Sequence, residues 1–295
     1  MTDRGSQTIR RRRLAAELRR LRERAGLTGD EAADRLGWSA SKISRIETHR
    51  IGVKPADLRR ILDLYHVDAE HGAALQALAQ ESARAAAAET VAAGLPADYT
   101  AYVSAETEAQ SIWNWDPLVV PGLLQTEAYA TVVHLGYQSM FRIPPGDAER
   151  RMQVRRTRQL LLTRDDPPEL VVVIDESVLH RRFGSRLVMH AQLLHLVVQS
   201  GLPNVRIHVL PLRTDHALTT GAFSYMQFPQ VHEVPLHDIV SVEHLTGSYY
   251  LEDDEETFRY RVAFDWLVEH SLPIEESRSV VAATAAERWA VPDAD

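Results

Sequence analysis

Residues 28–50, TGDEAADRLGWSASKISRIETHR, constrain the fold of this chain more than any other stretch. Thr28 with Glu31 three residues later has the spacing of a capping box, which opens a helix by satisfying its first backbone donors. Ala32, Ala33 and Leu36 give that helix one apolar side, and Gly37, a residue tolerant of positive φ, closes it. Ser39 then caps a second short helix that runs through Ile43 and Ile46. Two short helices that cross through small residues at a glycine turn form the supersecondary unit that lays a helix in the DNA major groove. Ile43 and Ile46 anchor the second helix from behind, leaving Ala40, Ser41, Ser44, Arg45 and Thr48 on its outer face.

The flanks complete an all-α head of five short helices. Leu14, Leu18 and Leu21 share one face of a first helix that Gly26 ends, and Pro55 suits the first turn of a fourth carrying Leu58, Ile61 and Leu62. The fifth is expected to start near Asp68. Charge agrees with a polyanion partner for this head. Residues 1–65 hold 16 Lys and Arg against 9 Asp and Glu, whereas the remainder holds 17 against 32, so the overall net of −8 hides a basic head on an acidic body. Residues 72–94 are alanine-rich, with no helix breaker between Gly72 and Gly94, and predict a long helix ending in a hinge.

Beyond residue 95 the texture changes to mixed helix and strand. Strands are expected at Glu169–Ile174, Val205–Leu210, Phe223–Phe228 and Ile239–Glu243, and helices at Gln125–Leu135, Asp147–Leu162, Arg186–Gln199 and Asp254–His270. The strand–helix–strand order from 169 to 210 permits a parallel crossover pair. The expected fold is therefore multidomain, a five-helix helix-turn-helix head over 1–67, a helical linker over 68–94, an α+β regulatory domain over 95–280 and a tail over 281–295. With no cysteine, neither a disulfide nor a thiolate metal site is possible. Residues 1–13, MTDRGSQTIRRRR, hold no apolar signal core, and runs such as LVVVI at 170–174 fall far short of a membrane span, so a reduced cytoplasmic location is expected.

The core KISRIE at 42–47, in its five-helix context, resembles the phage-repressor (Xre) family over residues 8–66. That resemblance implies a recognition helix entering the major groove N-terminus first, binding a double-stranded operator. Mapped onto that docking, Ala40, Ser41, Ser44 and Arg45 face base edges, with Arg45 the candidate for a bidentate contact to guanine. Arg10, Arg13, Thr28, Ser39, Lys42, Thr48, His49, Arg50 and Lys54 are placed for phosphates, which position a protein without reading sequence. Gly29 departs from the family, where Gln often follows the capping Thr. Glu47 is expected to pair within the domain.

The second half resembles the C-terminal domain of actinobacterial antitoxin-like (WhiJ-like) regulators. The segments that carry the likeness are PLVVPGLLQTEAYA (117–130), RRMQVRRTRQLLL (150–162), LVVVIDESVLHRRFG (170–184), NVRIHVLPL (204–212), IVSVEHLTGSYYLED (239–253) and LPIEESR (272–278). The resemblance implies a regulator encoded beside a small partner protein, with no established enzymatic activity in this domain.

Chemistry in the second half is sparse. The thirteen histidines show no metal-ligand spacing such as HExxH, and His190 and His195, five apart, miss a common helical face. Asp175, Glu176 and Glu243 end or follow strands, but nothing in the sequence brings them together. No GxGxxG, Walker loop or GxSxG is present, so no cofactor and no catalytic set is expected. Trp113, Trp115 and Tyr129 near Pro117 and Pro121, with Arg151, Arg155 and Arg158 on a basic helix, are the candidate partner or ligand surface. The expectation is a non-enzymatic homodimeric regulator governed by a small protein partner. The alternative is a one-component regulator sensing a small molecule in the second domain.

Overall fold

Leu14, Leu18 and Leu21, spaced along one helical face, are at most 5% exposed and begin the core of the first unit. The computed structural model describes residues 9–88, 97–141, 145–229, 238–244 and 247–290. The described residues before Ala109 form one compact unit, and those from Ala109 on, Pro229 aside, form a second. The first comprises α1 (Ile9–Arg24), α2 (Gly29–Leu36), α3 (Ala40–Glu47), α4 (Pro55–Leu64), α5 (Ala69–Ala88) and α6 (Ala97–Glu108). Its core joins the three α1 leucines to Ala32, Ala33, Ile43, Ile46, Leu58, Ile61 and Leu75. Each of α1 to α5 contributes its apolar stripe to one shared interior, as short helices that cannot stand alone must do.

The predicted linker divides differently from expectation. α5 starts at Ala69, where Asp68 accepts the His71 backbone N–H at 2.8 Å, and it buries Ala74, Leu75 and Leu78 against α1 and α4. The front of the stretch 68–94 is therefore the fifth core helix of the head, because its leucines fill the groove between two neighbours. Residues 89–94 lie outside the described residues.

The second unit is built on a six-stranded mixed sheet. Its elements are β1 (Ser111–Asp116), α7 (Glu127–Phe141), α8 (Pro145–Gln159), β2 (Glu169–Asp175), α9 (Glu176–His180), α10 (Arg186–Gln199), β3 (Val205–Leu210), β4 (Phe223–Gln227), β5 (Ile239–His244), β6 (Gly247–Leu251), α11 (Asp254–Glu269) and α12 (Ile274–Arg288). The strand order is β3-β2-β1-β4-β5-β6. β1, β2 and β3 run parallel, with Leu170 opposite Ile112 and Val205, and the remaining pairs are antiparallel. β2 is covered on both faces, which is why LVVVI is a continuous apolar run rather than an alternating one.

One sheet face presents Trp115, Val171, Val173, Phe223, Tyr225 and Val240 to Phe264 and Leu267 of α11. α12 packs along α10 and reaches β3. Expectation ended this domain at 280, yet α12 continues to Arg288. Val281, Ala285 and Trp289 are buried, and the Trp289 indole N–H donates to the Leu179 carbonyl at 2.8 Å. Most of the supposed tail is thus a packed helix, and residues 291–295 lie outside the described residues.

Candidate nucleic-acid interface

The caps and the turn of the helix-turn-helix are set by local contacts. The Thr28 hydroxyl accepts the Glu31 backbone N–H at 3.2 Å, while the Glu31 carboxylate accepts the Thr28 N–H at 2.8 Å and its O–H at 2.9 Å. Ala32 and Ala33 are at most 1% exposed, so α2 and α3 cross closely where their side chains are smallest. Gly37 takes φ 67°, and the N–H groups of Gly37 and Trp38 fold back to the carbonyls of Asp34 and Ala33. A methyl at Gly37 would meet nothing within 4 Å, so a substitution there is strained only through the backbone. Gly37→Ala is therefore expected to cost about 1 kcal/mol in denaturant unfolding of the full chain, and Gly37→Asn less. Equal costs would mean that the left-handed turn is not the reason for the glycine.

α3 is fixed on three sides. Ser39 caps it by accepting the Lys42 backbone N–H at 3.3 Å, and Ile43 and Ile46 sink into the core at 3% exposure. Arg22 of α1 grips Glu47 through two bonds, Nε to Oε1 at 2.7 Å and Nη2 to Oε2 at 2.9 Å, and its Nη1 donates to the Leu27 carbonyl. That pairing holds the Arg22 guanidinium charged beyond its usual range. Toward α4, Lys42 Nζ lies 2.8 Å from Asp57 Oδ2 and 3.6 Å from the centre of the Trp38 ring.

Ala40, Ser41, Ser44 and Arg45 are all exposed along one side of α3, and none is needed to hold the fold. Arg45 Nε donates to the Ser41 carbonyl at 3.1 Å, so the side chain lies along the helix, and its two terminal nitrogens bond to nothing among the described residues. Arg50, Lys54 and Thr48 are exposed as well, with the Thr48 hydroxyl donating back to the Ser44 carbonyl at 2.6 Å. His49 adopts φ 52°, turning the chain out of α3. Arg10 and Arg13 sit on α1, but their side chains lie outside the described residues.

Two of the expected phosphate residues are otherwise occupied. The Thr28 hydroxyl is spent on Glu31, and the Lys42 ammonium is held between Asp57 and Trp38. Trp38 and Asp57, which sequence reasoning did not single out, are what make Lys42 a brace between α3 and α4. The signal available was a lone tryptophan directly after the turn glycine.

The second-unit candidates are not brought together. Trp113 stacks on Tyr225 at 4.9 Å and Phe264 at 5.2 Å beneath α11, where Trp115 is also buried at 2% exposure. Tyr129 belongs to α7 instead, fully buried against Phe183, with its oxygen accepting the Val120 N–H at 3.3 Å. Arg158 is buried beside Gly122 and Arg155 donates to the Gln125 side chain, so both support the loop at 117–126 from within. Gln192, also buried, accepts the Thr126 N–H at 2.7 Å and donates to the Leu124 carbonyl at 2.8 Å. Trp115, Tyr129 and Arg158 are buried and Trp113 and Arg155 half-buried, the two tryptophans beneath α11 and the others around the 117–126 loop, so they do not line a shared cleft. Arg151 is half-buried.

Asp116, where β1 ends, accepts the N–H groups of Leu118 and Val119 at 3.1 Å each. Burial, aided by the Glu243 carboxylate, nevertheless pushes its carboxyl up to about 6, against the pull of those N–H groups and Arg181. A carboxyl raised in the folded state takes up its proton more readily there than in the unfolded chain. Its stabilising contribution is therefore complete below the unfolded value near 4 and is lost as pH rises through 6. Asp116→Asn keeps the acceptor and removes the charge. We expect it to stabilise the chain by on the order of 1–2 kcal/mol at pH 8 and by nothing at pH 4. A gain independent of pH would refute the assignment.

Comparison with known families agrees with the two-part architecture. A model described as a helix-turn-helix domain matches residues 13–75, which contain α2 and α3. A second, described as a domain of unknown function (DUF5753), matches residues 99–283, more than half of the chain. The chain belongs to the DUF5753 family. The helix-turn-helix match makes it a DNA-binding regulator in outline. No curated protein and no solved structure matches it. Among the described residues no helix is long and apolar enough to cross a membrane. No three His, Asp or Glu side chains among those residues gather as a metal site requires.

Proposed function

We propose that the chain is a cytoplasmic, sequence-specific transcriptional regulator of the antitoxin-like, Xre type that binds its operator as a homodimer. The observation that carries the DNA reading is the division of labour on α3. Ile43, Ile46, Lys42 and Glu47 hold the helix, while Ala40, Ser41, Ser44 and Arg45 are exposed and structurally unused. In this reading Arg45 lifts off its own helix to take a guanine edge, and Ala40 meets a thymine methyl. Ser39 keeps its hydroxyl proton for a phosphate. Arg10, Arg13, Thr48, His49, Arg50 and Lys54 supply further backbone contacts, and Lys42 and Thr28 act indirectly by fixing the two helices.

The second unit then couples a signal to the head, and a small protein encoded nearby is the signal we favour. Support comes from Trp115 and Tyr129, buried in separate clusters, and from Trp113, half-buried and stacked on Tyr225 and Phe264, so the three do not form the aromatic lining that a metabolite pocket would need. The test uses the full-length chain. Selection from a random duplex library should recover paired half-sites about one helical turn, ~34 Å, apart, and failure to enrich any sequence would refute the operator reading. Purification from the host should bring down a small partner, and adding it should change operator affinity by about 1–3 kcal/mol. A partner that leaves the titration unchanged rejects that model of control.

A further inference from the structure

Among the described residues, α10 carries the longest exposed apolar line. Leu187, Leu194 and Val198 are 61%, 44% and 67% exposed, with Ala191 exposed between them. Their spacing of four, three and four residues puts all four on a single line along the helix. The opposite side, Met189, Gln192, Leu193 and Leu196, is already buried in the second unit. Helices that are apolar all round are covered all round, and among the described residues nothing covers the outer line.

We propose that α10 is a self-association surface, on which the α10 of a second copy packs antiparallel about a two-fold axis crossing the helix between Gln192 and Leu193. The inference rests on the homodimeric reading above and locates the interface. Its ground is the self-complementarity of the stripe. A two-fold at that point sets Leu187 against Val198 and Ala191 against Leu194, in both directions at once. Each large side chain meets a smaller one, the requirement of an isologous contact. Charge fits the same occupant. Between Leu187 and Gln199 there is no charged side chain, in a chain where a quarter of the residues are charged. The one guanidinium at the start of the helix, Arg186, is turned away to the Ala290 carbonyl. His190 is engaged with the Ala285 carbonyl, and burial holds His195 toward its neutral form. A partner with a charged face would find nothing to pair with, whereas a second α10 brings none.

The competing apolar exposure on α11, Phe258 and Val262, is shorter, and the Arg261 guanidinium sits 5.6 Å from the Phe258 ring. Area sets the expected strength. A helix of 14 residues is about 21 Å long, so two such faces bury less than the ~800 Å² per partner of a standard interface. The free dimer is therefore weak, and DNA that holds two heads side by side strengthens it through effective concentration.

The test exploits the absence of cysteine. Full-length L187C and V198C chains, mixed and gently oxidised, should form a disulfide-linked dimer. Neither should do so alone, because like positions lie eleven residues, about 16 Å, apart along the pair. In sedimentation, L194E should raise the dimer dissociation constant at least about tenfold, with an unchanged melting temperature as the control for folding. A dimer that survives L194E, together with no mixed cross-link, overturns the α10 assignment and leaves the homodimer reading intact. A chain that is monomeric at every concentration, alone and on the selected duplex, overturns both. A chain that stays dimeric while L194E abolishes only the binding of a foreign protein gives the face to that protein.

Discussion

Arg45→Ala should weaken binding to the selected operator by about 2–6 kcal/mol, since each half-site is deprived of a bidentate pair worth about 1–3 kcal/mol and a dimer has two. The effect should fall on one base position of each half-site, where all four bases then bind alike. Arg45→Lys should not restore the preference, because an ammonium lacks the planar fork that matches a guanine edge. The contrast is Arg50→Ala or Lys54→Ala, which should weaken matched and scrambled duplexes equally and reduce the salt slope by about 0.9 for each phosphate no longer neutralised. A titration in which Arg45→Ala costs the same on scrambled DNA as on the operator would sink its role as a base reader. The variant should leave folding intact, since the side chain is exposed and makes one hydrogen bond to its own helix.

The head was legible in the sequence because its signals are short-range. Thr28 and Glu31, Gly37, Ser39 and Pro55 act within one turn of where they stand, and each caps or turns the chain where its spacing says it should. What was not legible depends on residues far apart in the chain. Lys42 looks like a free cation beside Ser41 and Arg45 until Asp57, fifteen residues on, arrives from α4. The partner of Glu47 could be expected inside the domain, but not that it would be Arg22, twenty-five residues back.

In the second unit the four expected strands are present, and two were missed, the central β1 and the edge strand β6. β1, SIWNWD, carries Asn114 in its middle, a residue that argues against a buried strand. Asn114 is tolerated there because Ser224, opposite it on β4, accepts its amide N–H at 2.5 Å. The pairing spans 110 residues, and no local pattern could announce it. The same holds for Arg155 and Arg158, which read as a surface run on a basic helix. Arg155 is drawn inward by the Gln125 side-chain carbonyl thirty residues earlier, and Arg158 is buried beside Gly122. Trp113 and Trp115 share one face of β1 by the two-residue period of a strand, yet only the cover of α11 decides that this face is interior.

The Arg22–Glu47 pair carries the second large prediction. Both side chains are nearly buried, at 11% and 10% exposure, and Tyr65 beside them is buried too. Burial, chiefly, and the Glu47 charge push the Tyr65 hydroxyl up to about 12, while Arg22 pulls the other way. Arg22→Ala would leave a carboxylate facing a low-dielectric pocket with no counter-charge, and it would also strip the Leu27 carbonyl of a donor. Removing one partner of such a pair costs about 3–5 kcal/mol, whereas replacing both by apolar residues of similar size is often neutral. Arg22→Met with Glu47→Leu is therefore expected to recover most of what Arg22→Ala loses. Trp38 is the one tryptophan of the first unit, the other four lying beyond residue 108, so it reports this transition. In a variant that retains Trp38 as its sole tryptophan, urea unfolding should show the first-unit midpoint falling with Arg22→Ala and returning in the double variant. Operator affinity should follow the same course, because Glu47 ends α3 and its release frees the recognition helix from α1. A single variant that costs less than about 1 kcal/mol, or a double variant no better than the single, would show that the pair does not hold α3 in place.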